Sequence, residues 1–179
     1  GVQTCALPIY AGIRTLPVTG DVTGAMSWGS RGLVLQRGGE LWLVDPANGA
    51  SRQLTTLDAS RDEVQHAVPT WLDDRVLTFT SLTGQAGTER IEAVTLDAPS
   101  RRSVVMERAA RGMWSPTGHL VFGRDGAVLA VPFDLDTLKP TGPTTVVLPQ
   151  GTVSNNATGT LSVEMSREGT LAYGGSAYG

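Results

Sequence analysis

Apolar residues along this chain come in short runs or at every second position, and no long stretch repeats at helical spacing. Residues 112–135, GMWSPTGHLVFGRDGAVLAVPFDL, show the pattern most plainly. An apolar stretch ends at Trp114. Ser115-Pro116-Thr117-Gly118 then reads as a tight turn, because proline presets one backbone angle and glycine accepts angles other residues avoid. Leu120-Val121-Phe122 is a compact strand, Arg124-Asp125-Gly126 turns the chain again, and Val128-Leu129-Ala130-Val131 runs back.

The same strand–turn–strand–turn–strand unit recurs. In residues 25–55 a strand ends at Trp28, Leu33-Val34-Leu35 follows a Gly-Ser-Arg-Gly turn, and Leu41-Trp42-Leu43-Val44 follows Gly38-Gly39. After a turn at Asp45–Gly49, Arg52–Thr55 closes the unit. A polar link, 56–65, leads to strands predicted at 66–71, 76–80, 91–96 and 102–106, with a longer loop at 83–89. The unit of the opening stretch ends with a long connection, 134–143, and a strand at 144–148. A further unit starts near Val153, with Met165 where tryptophan stood before, and residues 10–19 read as one strand of an earlier unit. Trp28, Trp71 and Trp114 are spaced 43 residues apart, each just before the first turn of its unit. A repeat of about 40–45 residues built of four short strands indicates a β-propeller blade. The expected fold is therefore all-β, a propeller fragment of about four blades of four-stranded antiparallel sheets. The expected units are 10–24 (partial), 25–65, 66–110, 111–150 and 151–179 (partial).

WSPTGHLVF, TWLDDRVLTF and EMSREGTLAY resemble the "SPDG" repeats of TolB-like, WD40-like bacterial propellers, and LWLVDPANG and LAVPFDLDT match the third strand and its following aspartate. The resemblance covers about residues 10–179, although Gly29–Gly32 and Leu72–Arg75 lack the Ser-Pro start. Such propellers usually close with six blades, so the resemblance implies an open arc of a six-bladed ring, with the remaining blades as partners. Residues 115–148 especially resemble propellers C-terminal to bacterial serine/threonine kinase domains, which implies an extracytoplasmic or periplasmic sensor or interaction module. The alternatives are the gating propeller that precedes a serine-peptidase domain in prolyl-oligopeptidase-like enzymes and a stand-alone periplasmic propeller. Residues 1–9, GVQTCALPI, resemble a translated sequencing adapter, so they are set aside from the fold. Cys5, the single cysteine, then says nothing about redox compartment.

Charge and chemistry narrow the function. The net charge of −3 argues against a nucleic-acid surface, and the apolar runs fall short of the roughly 18 residues that a membrane span needs. One lysine stands against thirteen scattered arginines, and the densest group, Arg101, Arg102, Arg108 and Arg111, reads as a solvated outer strand and loop. His66, placed just before a first strand, and His119, after a turn glycine, sit in separate units and make no zinc set. Asp134 and Asp136 begin like a calcium loop, but Lys139 stands at position six and no glutamate at twelve. Ser176 in Gly174–Tyr178 lacks the second glycine of a nucleophile elbow. The expectation is a non-catalytic module with no metal and no cofactor, binding a protein or small ligand. Strand alternation puts the second-to-third loops on the same face as the links between units, where the longest polar segments meet. The candidate binding residues on that face are Arg61, Asp62, Glu63, Gln85, Glu89, Arg124, Asn155 and Asn156.

Overall fold

The computed structural model describes residues 18, 21–97, 101–151 and 162–175. The expected strand at 10–19, Ser176, Asn155 and Asn156 lie outside this set, apart from Val18. Among the described residues the chain is all-β, in four antiparallel sheets, none of which closes on itself. The first sheet holds β1 (Ser27–Gly29), β2 (Gly32–Arg37), β3 (Glu40–Val44) and β4 (Ser51–Gln53). The second holds β5 (Glu63–Trp71), β6 (Val76–Thr83), β7 (Arg90–Thr95) and β8 (Arg102–Glu107). The third holds β9 (Ala110–Ser115), β10 (His119–Arg124), β11 (Ala127–Asp134), β12 (Lys139–Pro140) and β13 (Thr145–Leu148). β14 (Val163–Met165) and β15 (Leu171–Tyr173) make the fourth.

Local chemistry sets the turns. Gly38-Gly39 and Asp125-Gly126 are two-residue hairpin turns in which both residues have positive φ, the geometry that matches the twist of paired strands. Each tryptophan falls at the same register: Trp28 opposite Leu33, Trp71 opposite Leu77 and Trp114 opposite Leu120, with Met165 opposite Leu171. Two expectations are corrected. The link 56–65 ends earlier, because β5 already begins at Glu63. The connection 134–143 is not plain loop: β12 folds back on β11 at Phe133 and Asp134, so the third sheet has five strands.

The sheets pack face to face in chain order, because successive residues of a strand point to opposite faces and both faces are apolar. Leu77, Phe79 and Val94 of the second sheet meet Val34, Leu41 and Leu43 of the first. Val76, Ile91 and Ala93, on its other face, meet Leu120, Phe122 and Val131 of the third. Met113, Val121 and Val128 of the third sheet meet Val163 of the fourth. Trp71 crosses from the second sheet to the first, where a Cβ on Gly29 would stand 2.7 Å from its indole ring.

Polar groups fix the alignment of the second and third sheets. β5 and β9 each carry a bulge three residues before their tryptophan, with Val68 and Arg111 at positive φ. Thr78 and Thr80, both fully buried, read the bulge of β9. The Arg111 N–H donates to Thr80 Oγ1 at 2.9 Å, and Thr78 Oγ1 donates to the Gly112 carbonyl at 3.0 Å. The stack also bends. Gly29 and Ser30 of the first sheet, residues 71–74 of the second, and Arg167 of the fourth line one cavity of about 310 Å³. Flat layers about 10 Å apart would hold the first and fourth sheets about 30 Å from each other.

Thr80→Val keeps shape but leaves the part-buried Arg111 N–H without its acceptor, so it should cost about 1–3 kcal/mol in urea unfolding. Thr145→Val, on an exposed strand, should stay within about 0.5 kcal/mol. Equal effects at the two positions would show that the bulge contact does not hold the sheets in register.

Candidate functional site

The links between sheets and the second-to-third connections meet at one end of the stack. The loop between β6 and β7 forms a wall between two clefts there. The larger, about 690 Å³, is lined by Ala59, Arg61, Asp62, Glu63 and Val64 from the link and by Thr83, Gly84, Gln85, Thr88 and Arg90 opposite. The smaller, about 360 Å³, lies between Ala86, Gly87 and Glu89 on one side and Arg108–Ala110, residues 123–126 and Gln150 on the other.

A buried polar network forms the floor of the larger cleft. The link carries a single 3-10 turn, Ala59–Arg61, capped by Asp58, whose carboxylate accepts from the Ser60 N–H. This brings the chain back so that Glu63 enters β5 with its carboxylate fully buried. That carboxylate accepts from the Asp58 N–H at 2.8 Å, from Arg102 Nη2 at 2.8 and 2.9 Å, and from Arg90 Nη2 at 3.2 Å. A second buried carboxylate, Glu92, lies 3.0 Å from Arg61, 3.4 Å from Arg90 and 3.4 Å from Arg102. Three guanidiniums thus surround two carboxylates between the first and second sheets.

His66 completes the network. Arg102 Nη1 donates to its Nε2 at 2.8 Å, so the neutral ring keeps its proton on Nδ1 and donates to Thr55 Oγ1 at 2.8 Å. Thr55 Oγ1 also accepts the Leu41 N–H, at 3.0 Å, and Phe79 meets the imidazole edge-on. Burial, with help from the Arg102 and Arg61 charges, pushes His66 down to about 4 against the pull of Glu63. Burial works to raise the Glu63 carboxyl, but the Asp58 N–H and the Arg102 guanidinium outweigh it and hold the group at about 2.

Of the candidate binding residues, Arg61, Asp62, Glu63 and Gln85 come together at the larger cleft, and Glu89 and Arg124 at the smaller. Glu63 is corrected from exposed loop residue to buried strand residue, because its carboxylate is the anchor for the arginines. Arg124 is committed to structure: its Nε and Nη2 donate to the carbonyls of Arg108 and Glu107. The Glu89 carboxylate accepts the Gly87 N–H within its own loop. The reading of the arginine group as solvated is also corrected. Arg102 turns inward to two buried glutamates, and Arg111 pairs with Glu164, whereas Arg108 stays exposed beside Asp125. His66 lies inside β5, not ahead of it. Asp134 is corrected from turn residue to the last residue of β11, where its carboxylate accepts from the Asp136 and Thr137 N–H groups of the turn that follows. Arg90, Glu92 and Arg102 were not singled out by sequence as one site. The available signal was the alternation of Arg90, Glu92 and Val94, which puts two charges on the same face as a core valine.

Among the described residues, no group of three or more His, Cys, Asp or Glu side chains could hold a metal ion, and no helix is long and apolar enough to cross a membrane. No family model and no curated protein matches the chain.

The network makes stability depend on pH. Above about 6.5 His66 is neutral in folded and unfolded chains alike, and its full contribution is present. Between 6.5 and about 4 the unfolded chain takes up a proton that the folded chain refuses, and about 3 kcal/mol is lost across that window. From 4.5 towards about 2, protonation of Glu63 in the unfolded chain removes more. Urea midpoints measured from pH 8 to 4 should fall for the native chain and stay flatter for His66→Gln. Parallel curves would rule out His66 as the source.

Proposed function

We propose that this chain is part of a β-propeller and serves as a non-catalytic recognition module of a larger bacterial protein, binding a protein or small ligand at the end where the long loops meet. Three features support the propeller reading: sheets that repeat with one tryptophan register, face-to-face packing in chain order, and first turns of separate sheets around a common cavity. The resemblance to TolB-like repeats points the same way and suggests an extracytoplasmic or periplasmic setting, with further blades as partners.

The observation that carries the recognition role is the loop between β6 and β7. The equivalent turns of the first and third sheets need only two residues, Gly38-Gly39 and Asp125-Gly126. The second sheet spends a longer, internally hydrogen-bonded loop at that position. Thr83 and Thr88 hydroxyls both donate to the Gln85 carbonyl there, and the loop walls both clefts. Hairpin closure does not require this extra length, so the surface it builds is its use.

Replacing residues 84–89 with Asn-Gly leaves a four-residue turn between Ser81 and Arg90, which keeps their pairing, and should leave the fold and thermal midpoint nearly unchanged. A photo-crosslinker at Gln85 in the otherwise unaltered chain should then capture a partner from envelope extract, and an excess of label-free unaltered chain should compete that capture away whereas an excess of the shortened chain should not. A crosslinker at Asp136, on the opposite end, should capture nothing in common with it. Equal capture at both ends, or competition by the shortened chain as effective as by the unaltered one, would refute the loop-end assignment.

A further inference from the structure

We infer that the larger cleft is a carboxylate-binding site, in which Arg61 and Arg90 grip the ligand. This rests on the reading of the loop end as the recognition surface and names the chemistry it takes.

The argument is one of donors and charge. Arg61, Arg90 and Arg102 bring three positive charges and fifteen N–H donors to two carboxylates with four oxygens. With His66 neutral, the three guanidiniums exceed Glu63 and Glu92 by one charge, while the Asp58 carboxylate, turned to Ser60, and Asp62 stand at the edge of the network. The excess is not spread evenly. Arg102 spends its donors inward, with three hydrogen bonds to Glu63 and His66. Arg61 reaches Glu63 and Glu92 only as ion pairs, at 3.6 and 3.0 Å, and makes no side-chain hydrogen bond among the described residues. Its side chain is 31% exposed, in the cleft wall. Arg90 donates Nη2 to Glu63 and turns its buried Nε to Glu92 as an ion pair at 3.4 Å, so only its Nη1 is left without a hydrogen-bond or ion-pair partner among the described residues. Two guanidiniums with donors to spare therefore flank one cleft.

The buried glutamates explain why these arginines are set in place before a ligand arrives. Glu63 and Glu92 pin them from beneath, which removes much of the side-chain entropy that a mobile arginine loses on binding. A planar, two-oxygen anion matches the guanidinium fork better than a sphere of charge does. Thr83, Gln85 and Thr88 supply polar contacts on the opposite wall, and exposed Val64 offers an apolar one. Asp62 stands at the rim and pairs with neither guanidinium, so its charge opposes an incoming anion.

The carboxylate has two sources, a free small dicarboxylate or an acidic side chain of a polypeptide. Two probes separate them: glutarate, and an acetylated, amidated hexapeptide of alternating alanine and glutamate, each titrated into the 15N-labelled full chain. The readout is the arginine Nε–H resonances, assigned with single arginine variants. Saturable shifts at Arg61 and Arg90 with either probe support the site, and the tighter probe identifies the source. Arg61→Gln should weaken binding by about tenfold, and Arg61→Lys should not restore it. Asp62→Asn should tighten it. Arg52→Gln, on exposed β4, should leave it unchanged. Inorganic phosphate binding as tightly as either carboxylate overturns the assigned chemistry, and so does equal binding by the glutamine version of the peptide. Absence of saturable shifts with both probes overturns the site. Partner capture at Gln85 that persists in Arg61→Gln would leave the recognition role standing without this site.

Discussion

The second and third sheets are apolar on both faces, and such a sheet can be stable only between two others. Val76 and Leu77 are neighbours in sequence, yet one belongs to the core shared with the third sheet and the other to the core shared with the first. The other features follow from this. The strands are short and the turns tight because each unit must finish before the next can cover it. One large side chain recurs at one register because each unit meets its predecessor in the same way. Trp71 fits over the first sheet because position 29 is glycine. Trp28, at the same register of the first sheet, is 62% exposed, whereas Trp71 is half-buried against Gly29.

Sandwiched sheets leave little room for charge, so the network around Glu63 is unusual for its place. Removing two carboxylates and parts of three guanidiniums from water is costly, and ion pairing offsets that cost only where geometry is good. Glu63 has good geometry, with hydrogen bonds from a backbone N–H and from two arginines. Glu92 does not: three arginines lie near it, but neither oxygen makes a hydrogen bond. Such a network specifies how the link from β4 to β5 lies across the second sheet, and it also fixes the cleft above it. Structure and candidate function thus share the same side chains, and this is why the cleft is preformed.

Much of the fold was legible in the sequence. Alternation at Ile91–Leu96, the Asp125-Gly126 turn and the tryptophan spacing each report a local preference that the packing does not oppose. Boundaries were harder. Glu63 reads as loop in the sequence because charge normally marks solvent, and only the arginines from β7 and β8, far along the chain, make it a buried strand residue. β12 was invisible because Lys139-Pro140 has no strand character of its own. The site was legible only as a loop face. Arg61 and Gln85 could be placed there by topology, whereas the turning of Arg102 inward and of Arg108 outward depends on which partners the neighbouring strands present.

The central claim is that the sheets stack face to face and bend about a common cavity. Pulsed electron–electron resonance between spin labels at Ser30→Cys and Arg167→Cys, in a chain with Cys5→Ser, measures the bend directly. The account predicts one distance below about 20 Å, because both positions line the same cavity. A distance of about 30 Å or more, the span of three layer spacings, would mean a straight stack and would contradict it.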